Sequence, residues 1–392
     1  MLKRLVLTDF LSYGPGAQTI ELAPLNVLIG PNGSGKSNLV EALAVLRAVP
    51  RDLPLPVRQG GGVEEWIWRG DATGPTANAA EIEALFDWQL FRSGHPKIDV
   101  RFRLRFGSEG GAFVVLDERI ENEQGHPEPP IFFGYQNGRP MLNTRGGAQR
   151  ILERADIDRT QSILSQRRDP DAYPELATLT DVLRDMRIYR SWSFGPDAPL
   201  RSSCRADVPG HTLLEDFSNL PARLAVLKRD PATKRRLLDL LGDLAPGFHD
   251  MEIVPEGGRL QLYLTDGTRN VPAHRLSDGT LRYLALLTIL LDPGPAKLVV
   301  IEEPELGLHP DVFPTLRDLM VERSAHTQLV VTTHSTQLVD TLDDHAESVL
   351  ICERDGATTT LQRLRQDDIA RWRTFGSLGT LWMSGKLGGT RW

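Results

Sequence analysis

The chain is poor in cysteine and contains no long hydrophobic run. Its 392 residues include only Cys204 and Cys352, and neither belongs to a C-x-x-C pair, which argues against a structural zinc site. We expect both to be buried thiols. Because there is neither a stretch of eighteen apolar residues nor a signal-peptide pattern, we expect a cytoplasmic protein without a membrane partner.

Sustained periodic patterns are also missing from the sequence. No heptad pattern persists for three or four repeats, which argues against long coiled-coil arms, and neither internal repeats nor low-complexity blocks are apparent. The net charge is −7, which does not favour a general affinity for nucleic acid. The length exceeds that of one typical domain and fits a single head with an insertion.

A glycine-rich segment near the N-terminus has the form G-x-x-x-x-G-K-[ST]. It lies between the apolar run 25–29, a predicted buried strand, and residues 38–47, a predicted helix. In such a loop, backbone N–H groups and the helix N-terminus surround phosphate, Lys36 reaches the β/γ oxygens, and Ser37 offers a hydroxyl to Mg²⁺. The predicted nucleotide-binding residues are Gly30, Pro31, Asn32, Gly33, Ser34, Gly35, Lys36, Ser37 and Asn38.

Two further apolar runs end in polar residues that suit the same chemistry. Residues 298–301 precede Glu302 and Glu303, the Walker B arrangement. Because parallel strands deliver their carboxyl ends to one sheet edge, we expect Glu302 to hold Mg²⁺ and Glu303 to polarise the attacking water. The run 328–333 ends at His334, which would contact the γ-phosphate, although a lone histidine is more often structural.

The segment Leu-Ser-Asp-Gly-Thr at 276–280 precedes an apolar helix predicted over 281–291. Ser277 is a good N-cap, Gly279 permits a close backbone approach, and the helix dipole points at anions. By itself the segment is more often an ordinary capped helix. Its position shortly before the two carboxylates and His334 favours a role in phosphate binding.

Together these motifs resemble those of ATP-binding-cassette ATPases, and in particular the predicted AAA-type ATPases related to RecF and to the OLD (overcoming lysogenisation defect) proteins. The resemblance depends on Glu-Pro-Glu-Leu-Gly-Leu-His-Pro at 303–310, on the Ser-Asp-Gly-Thr signature, and on the opening segments. It covers residues 1–48 and 250–353 well. It implies an α/β, cassette-type P-loop ATPase head: a mainly parallel sheet flanked by helices, an antiparallel β lobe and a compact helical insertion.

In that family, the signature of one copy binds the γ-phosphate held by the phosphate loop of another. The resemblance therefore implies a homodimer or higher oligomer, assembled head to tail around ATP and Mg²⁺. The implied roles are closure of the opposing site for Ser277, Asp278 and Gly279, catalysis for Glu303, His334 and Lys36, and metal binding for Ser37 and Glu302. The family normally has aspartate at Glu302; the additional methylene shifts the oxygen by about 1.5 Å, which leaves slow turnover open.

We expect three regions along the chain. Residues 1–145 would form the N-terminal β lobe and the Walker A half, residues 146–250 the helical insertion, and residues 251–392 the C-terminal half with a Gly/Trp tail that docks on its own domain. The insertion would suit DNA if its basic residues, interleaved with Tyr189 and Trp192, were exposed, but interspersed acids favour a solvated face. Those residues are Arg145, Arg150, Arg154, Arg159, Arg167, Arg168, Arg184, Arg187 and Arg190.

The expected activity is a switch, in which ATP favours the closed dimer and hydrolysis releases it. OLD-type proteins carry a TOPRIM nuclease after the ATPase, and we expect no room for one after the strand at 349–351. The preferred hypothesis is therefore control of a separate effector, such as a nuclease in genome defence. Alternatives are a RecF-like repair ATPase that binds DNA directly, a transporter motor, and a nucleotide-bound scaffold that does not turn over.

Overall fold

The computed structural model describes residues 1–70, 77–91, 98–123, 131–136, 138–144, 147–153, 157–193, 195–294, 296–365 and 376–388. The strands are β1 (Leu2–Thr8), β2 (Gln18–Glu21), β3 (Leu25–Ile29), β4 (Ala79–Phe86), β5 (Val100–Glu109), β6 (Ala112–Asn122), β7 (Ile131–Gln136), β8 (Arg139–Asn143), β9 (Gln149–Ile151), β10 (Arg187–Tyr189), β11 (Cys204–Arg205), β12 (Phe248–Glu256), β13 (Arg259–Asp266), β14 (Arg269–Pro272), β15 (Leu298–Glu302), β16 (Gln328–Thr332), β17 (Val349–Asp355) and β18 (Thr358–Arg363).

The α-helices are α1 (Lys36–Ala48), α2 (Pro54–Gln59), α3 (Val63–Trp66), α4 (Ile163–Gln166), α5 (Pro174–Arg184), α6 (Leu220–Leu227), α7 (Pro231–Leu244), α8 (Asp278–Leu290), α9 (Phe313–Ser324), α10 (Thr336–Asp340) and α11 (Leu378–Met383). Short 3₁₀ segments occupy Trp88–Leu90, Pro199–Arg201, Ala273–Arg275, Pro310–Val312 and Asp343–Ser348. Among the described residues, none of the helices has the length and hydrophobicity that a membrane span requires.

A mainly parallel sheet forms the centre of the fold, with strand order β10-β15-β16-β3-β17-β18 in the described part of the chain. The first five strands are parallel, and β18 returns antiparallel to β17. Alternate residues of β15 enter two different cores: Leu298 and Val300 face one, Val299 and Ile301 the other. The sheet is therefore covered on both faces, as its run of Val, Leu and Ile predicts.

The first core lies between this sheet and an antiparallel lobe. Within the described residues the lobe has strand order β2-β1-β4-β5-β6-β7-β8-β9. Along β5, Phe102 and Leu104 are buried in the core, while Arg101 and Arg103 face outward and pair with acidic side chains such as Asp117. This period-two alternation is the reason the sequence predicted a β lobe here.

The second core covers the opposite face and is built mainly from α7, α8 and α9. Helix α8 is buried around most of its circumference, including Leu284, Leu287 and Ile289. A small sheet in which β13 pairs with β11, β12 and β14 lies against α6 and α7. The apolar run that follows the signature segment is therefore the central helix of this layer.

Residues 146–250 are distributed over three parts of the fold and are not confined to helices. Strand β9 pairs with β8 of the lobe, α5 lies near α1 and contacts α4, and β10 forms the edge of the parallel sheet beside β15. Because β10 is only three residues long, its sequence carries no periodic signal. Arg145 and Arg154, assigned to the basic set above, lie outside the described residues.

The described part of the C-terminal tail contacts its own domain. Helix α11 lies against α10, the Leu378 amide donates to Asp343 at 2.9 Å, and the Gly379 amide donates to Asp340 at 2.7 Å. Leu381 and Trp382 are buried. Leu378 and Trp382 of the tail thus belong to the second core, and Leu387 packs against it.

Candidate functional site

The phosphate loop connects β3 to α1 in a conformation that only glycine tolerates at two positions. Gly30 and Gly35 have φ values of +149° and +102°. A Cβ atom at Gly30 would collide with the carbonyl oxygen of Cys352, and one at Gly35 would collide with the side chain of Thr359. Backbone geometry and crowding therefore both select glycine.

Lys36 points into the loop that precedes it. Its Nζ donates to the carbonyl oxygens of Gly30, at 2.7 Å, and Pro31, at 3.0 Å. Burial lowers the pKa of Lys36, and the carboxylates of Glu302 and Glu303 partly oppose that shift. The buried Ser34 hydroxyl has no hydrogen-bond partner among the described residues. An ammonium and an unsatisfied hydroxyl beside a helix N-terminus fit the oxygens of a polyphosphate.

Ser37 approaches the carboxylate of Glu302 closely enough to lower the pKa of that group slightly. Burial raises the pKa of Glu302, and nearby Arg190 opposes the shift. The contact joins the first turn of α1 to the end of β15. A hydroxyl and a carboxylate at one point, both oxygen ligands, fit Mg²⁺.

Glu303 is the first residue after β15 and has a left-handed backbone. Its φ is +47°, an uncommon value for a residue with a side chain. Its amide donates to the Thr332 carbonyl oxygen at 2.9 Å, which holds it against the neighbouring strand β16. The Nε2 atom of His334 lies 3.6 Å from the Glu303 carboxylate. The structure thus brings two of the three predicted catalytic side chains together.

His334 is held by the carboxylate of Glu305. One oxygen of Glu305 accepts from the hydroxyl of Thr333 at 2.6 Å and from the His334 amide at 3.0 Å. Burial lowers the pKa of His334, and Lys36 lowers it further while Glu303 opposes. The imidazole is therefore mostly neutral at pH 7. The sequence did not assign this role to Glu305, although it lies within the Glu-Pro-Glu segment.

The signature residues lie at the N-terminus of α8. The Ser277 hydroxyl accepts from the Thr280 amide at 3.0 Å, which makes Ser277 the N-cap. At Gly279, a Cβ atom would lie 3.0 Å from the carbonyl oxygen of Gly307, in the turn after Walker B. A small residue is therefore favoured at Gly279 by packing within the chain alone.

Asp278 is fixed by residues from the segment between β10 and β11. Arg201 donates to the Asp278 carboxylate and to the Leu276 carbonyl oxygen, both at 2.6 Å, and the Gly195 amide lies 3.4 Å from both Asp278 oxygens. The Arg201 contact lowers the pKa of Asp278. The signature loop is therefore ordered by an ion pair that its local sequence does not reveal.

Two further residues at this site are Arg282, which the sequence analysis did not identify, and Trp192, which it grouped with the basic residues of the insertion. The Trp192 indole donates to the carbonyl oxygen of Glu302 at 2.9 Å. The Arg282 guanidinium lies 4.1 Å from the centre of the Trp192 ring and donates to the carbonyl oxygen of Glu303. Arg282 is fully buried. The available signal was one charged residue inside an otherwise apolar helix, which requires partners.

Several members of the candidate nucleic-acid surface have partners within the chain. Arg190 pairs with Glu41 at 2.6 Å and Arg159 with Glu109 at 2.7 Å, and Tyr189 is buried. Neutralised arginines and a buried tyrosine do not form an open cationic surface.

A phosphate loop, two strand-end carboxylates and a capped signature helix on a doubly covered parallel sheet define a cassette-type P-loop ATPase head. The chain belongs to the family described as "AAA domain, putative AbiEii toxin, Type IV TA system", whose model matches residues 25–340. It is thus an AAA-type ATPase domain, as its motifs indicated.

Curated relatives match shorter segments. RecF of Acidothermus cellulolyticus, a DNA replication and repair protein, is 55% identical over 65 residues, which are 15% of this chain and 17% of RecF. The chromosome partition protein Smc of Cereibacter sphaeroides is 39% identical over 84 residues, 21% of this chain and 7% of Smc. The chain therefore corresponds to a small part of each relative, and the similarity to RecF agrees with the sequence prediction.

Solved structures show the same fold over nearly the whole chain. An Smc head bound to the C-terminal winged-helix domain of ScpA has a TM-score of 0.60 at 16% identity, covering 93% of this chain and 98% of that one. The Pyrococcus furiosus Smc head with an extended coiled coil has a TM-score of 0.57 at 15% identity, with coverages of 95% and 98%. The predicted head fold is confirmed.

Proposed function

We propose that this protein binds ATP with Mg²⁺ and hydrolyses it in a head-to-tail dimer. The observation that carries the proposal is the convergence of Ser37, in the first turn of α1, and Glu302, at the end of β15, because the parallel pairing of β3, β16 and β15 brings the Walker A hydroxyl and the first Walker B carboxylate to one edge of the sheet. Bound Mg²⁺ would neutralise charge on the phosphoryl oxygens. Lys36 would bind the β/γ oxygens in place of its present carbonyl partners, and Glu303 would orient water.

The nucleoside would occupy a cavity of about 250 Å³ beside the phosphate loop. Its lining includes Ser12, Asn38, Trp68 and Arg354. Asn38 belongs to α1 and donates to the Ser12 hydroxyl at 2.7 Å, so the cavity adjoins the loop. Trp68, half-buried and anchored to the Ala357 carbonyl oxygen at 3.2 Å, offers a rigid aromatic surface for an adenine base.

Titration calorimetry tests this location. We expect Trp68→Ala to weaken ATP binding about 10-fold through loss of stacking, and Trp68→Phe to weaken it less than 3-fold. Equal Kd values for all three proteins would place the base elsewhere, without affecting the phosphate-site assignment.

The dimer is tested by light scattering together with phosphate release. Glu303→Gln should bind ATP with Mg²⁺, lose phosphate release, and double in mass on adding nucleotide, because Gln cannot accept a proton from water. Ser277→Arg in the Glu303→Gln background should prevent the mass change, since a bulky residue at the N-cap blocks the second copy. A mass unaffected by ATP, with unchanged release in Glu303→Gln, would refute both the dimer and the catalytic carboxylate.

The biological output we propose is control of a separate effector in genome defence, with a nuclease as the preferred effector. Two findings support a partner protein: the family description names a putative toxin of a toxin–antitoxin system, and a solved Smc head of similar fold is bound to a domain of ScpA. Phage plaque counts on cells carrying the chromosomal locus with Lys36→Ala or Glu303→Gln test the role. Exposed Arg229→Ala is the control. Equal plaque counts in all strains would exclude defence.

Direct DNA binding is the second candidate, favoured by the match to RecF. The internal pairing of Arg159 and Arg190 weakens it. A RecF-like activity requires ATP-dependent duplex binding whose affinity falls steeply with salt. Fluorescence anisotropy with labelled duplex, between 50 and 200 mM salt on the scale of the counterion-release effect, distinguishes this candidate from the effector switch.

A further inference from the structure

The backbone carbonyls of both Walker B glutamates are held from outside their strand. The carbonyl oxygen of Glu302 accepts from the Trp192 indole at 2.9 Å, and that of Glu303 accepts from the Arg282 guanidinium. Strand pairing accounts for neither contact, because both donors are side chains from other elements. The corner that carries the two carboxylates is therefore fixed by side chains outside the sheet.

The Glu303 backbone needs such support. In the described part of the chain, only Asp9, Leu11, Phe217 and Glu303 have a positive φ without being glycine. A left-handed conformation is unfavourable for a residue with a Cβ atom unless surrounding contacts enforce it. Thr332 holds the Glu303 amide and Arg282 holds its carbonyl, so both peptide groups of this residue are constrained.

Arg282 is itself positioned by an aromatic stack. Its guanidinium lies 4.1 Å above the Trp192 ring, and the ring stacks on Phe217 at a centroid distance of 4.6 Å and an angle of 25°. The side chain is completely buried, which is rare for arginine and costly without compensation. Burial lowers the pKa of Arg282 to about 10, so the guanidinium remains charged at neutral pH.

We propose that Arg282 is a positioning residue for the catalytic carboxylate. Arg282 holds the Glu303 carbonyl so that the Glu303 side chain stays directed toward His334. The Trp192 ring packs against the Arg282 guanidinium and supports it. Arg282 lies one turn into the helix that begins with the signature residues Ser277 and Gly279. The orientation of the water-activating group is thereby tied to the helix that would contact the second nucleotide. This inference rests on the proposed ATPase function.

Steady-state kinetics test the proposal in the full-length protein. Arg282→Met keeps an unbranched apolar stem and removes the hydrogen-bond donors, and we expect kcat to fall about 10- to 100-fold with KM for ATP unchanged within about 2-fold. Arg282→Lys should recover part of kcat, since one charged donor remains without the planar fork. Trp192→Phe should lower kcat about 3- to 10-fold, because it removes the donor but keeps the stack.

Hydrogen exchange provides a readout that does not depend on turnover. In Arg282→Met, the amides of residues 302–308 should exchange faster in the absence of nucleotide, while those of β3 keep their wild-type rates. Tyr283→Phe is the matched control on the same helix. Its buried hydroxyl has no hydrogen-bond partner among the described residues, and its loss should change neither kcat nor exchange.

The inference is overturned if the wild type is active and Arg282→Met has the same kcat and the same amide exchange rates as the wild type. The kcat values are compared after correction for the folded fraction. If Arg282→Met does not fold, Arg282→Lys and Trp192→Phe decide: wild-type kcat in both overturns the inference. A wild type that binds ATP but releases no phosphate would instead refute the proposed function. The two failures are therefore distinguishable.

Discussion

The imidazole Nε2 atom of His334 lies 3.6 Å from the carboxylate of Glu303, although different strands deliver the two residues. Residues Glu302 and Thr332 pair across β15 and β16, so the residues that follow them leave the sheet at the same edge. Glu305 then anchors the His334 amide. A carboxylate and a neutral imidazole at one edge suit water activation and recognition of a terminal phosphate.

The first prediction concerns the pH dependence of hydrolysis. Burial and Lys36 lower the pKa of His334, so the imidazole stays neutral until the pH falls below about 6.5, the ordinary value. Burial raises the pKa of Glu302, so it becomes protonated at a higher pH than an ordinary glutamate. Both shifts predict an activity that is steady near pH 7 to 8 and falls on acidification. Phosphate release measured from slightly alkaline to acidic pH tests this expected profile.

Excess Mg²⁺ distinguishes the contributions of Glu302 and His334 to the loss of activity at acidic pH. Because the metal competes with the proton on Glu302, high Mg²⁺ should move that part of the acid limb to lower pH. The loss of activity caused by protonation of His334 should occur at the same pH at every Mg²⁺ concentration, and it should be absent in His334→Gln. An acid limb that is identical in wild type and His334→Gln at saturating Mg²⁺ would contradict the role of His334.

The second prediction concerns the metal requirement. Ser37→Ala and Glu302→Gln should each raise the Mg²⁺ concentration for half-maximal activity about 10-fold or more, because the first removes an oxygen ligand and the second replaces a charged carboxylate by a neutral amide. Glu302→Asp should also change the Mg²⁺ concentration for half-maximal activity, since the shorter side chain moves the carboxylate about 1.5 Å away from Ser37. Glu109→Gln, whose carboxylate pairs with Arg159, is the acidic control. Equal Mg²⁺ requirements would exclude this pair as the metal site.

The third prediction compares two glycines of the phosphate loop. Gly33 and Gly35 both have positive φ, at +78° and +102°, but only Gly35 would place a Cβ atom against Thr359. Gly33→Ala should therefore cost about 1 kcal/mol of unfolding free energy from backbone strain. Gly35→Ala should cost at least about 2 kcal/mol, because a clash is added. Urea denaturation measures the difference, and equal losses would show that packing against β18 is unimportant.

The fourth prediction concerns Glu118, a fully buried carboxylate of β6. It accepts from the Ser162 hydroxyl and from the Ile163 amide, at 3.0 Å for the amide, and burial raises its pKa to about 7 despite these bonds. The folded pKa thus exceeds the unfolded value, so the folded state binds more protons between about pH 4.5 and 7. The free energy of unfolding should therefore fall as pH rises through this range, by up to about 3 kcal/mol.

Glu118→Gln removes this titration while keeping an acceptor for Ile163. Its stability relative to wild type should improve progressively from pH 5 to pH 8 in urea denaturation. Parallel stability curves for the two proteins would show that Glu118 has no raised pKa.

Much of the fold was predictable because its signals are local. The strand 25–29, the helix after it, the strand-end pair Glu302 and Glu303, and the N-cap Ser277 all follow from residue order and apolar pattern. Each depends on interactions within one turn or one strand. Roles in catalysis and metal binding remain predictions, which the structure makes testable by bringing the residues together.

Other parts of the site were not predictable. Trp192 was grouped with the basic residues of the predicted insertion, yet it contacts Walker B, because the short strand β10 places it beside β15. Arg282 was not singled out in the sequence, where it lies within an otherwise apolar helix. Thr359, which donates to the Ser34 carbonyl oxygen at 3.0 Å beneath the loop, lies in a hairpin without any motif.

The sequence by itself determined the chemical groups of this protein: a phosphate loop, two carboxylates, a histidine and a capped helix. Only the tertiary structure decided which of them meet. Strand β3 is early in the chain but lies between β16 and β17, and this crossover brings Ser37 to Glu302. The physical reason is that strand order and buried ion pairs depend on packing the whole chain into two cores, which no local pattern encodes.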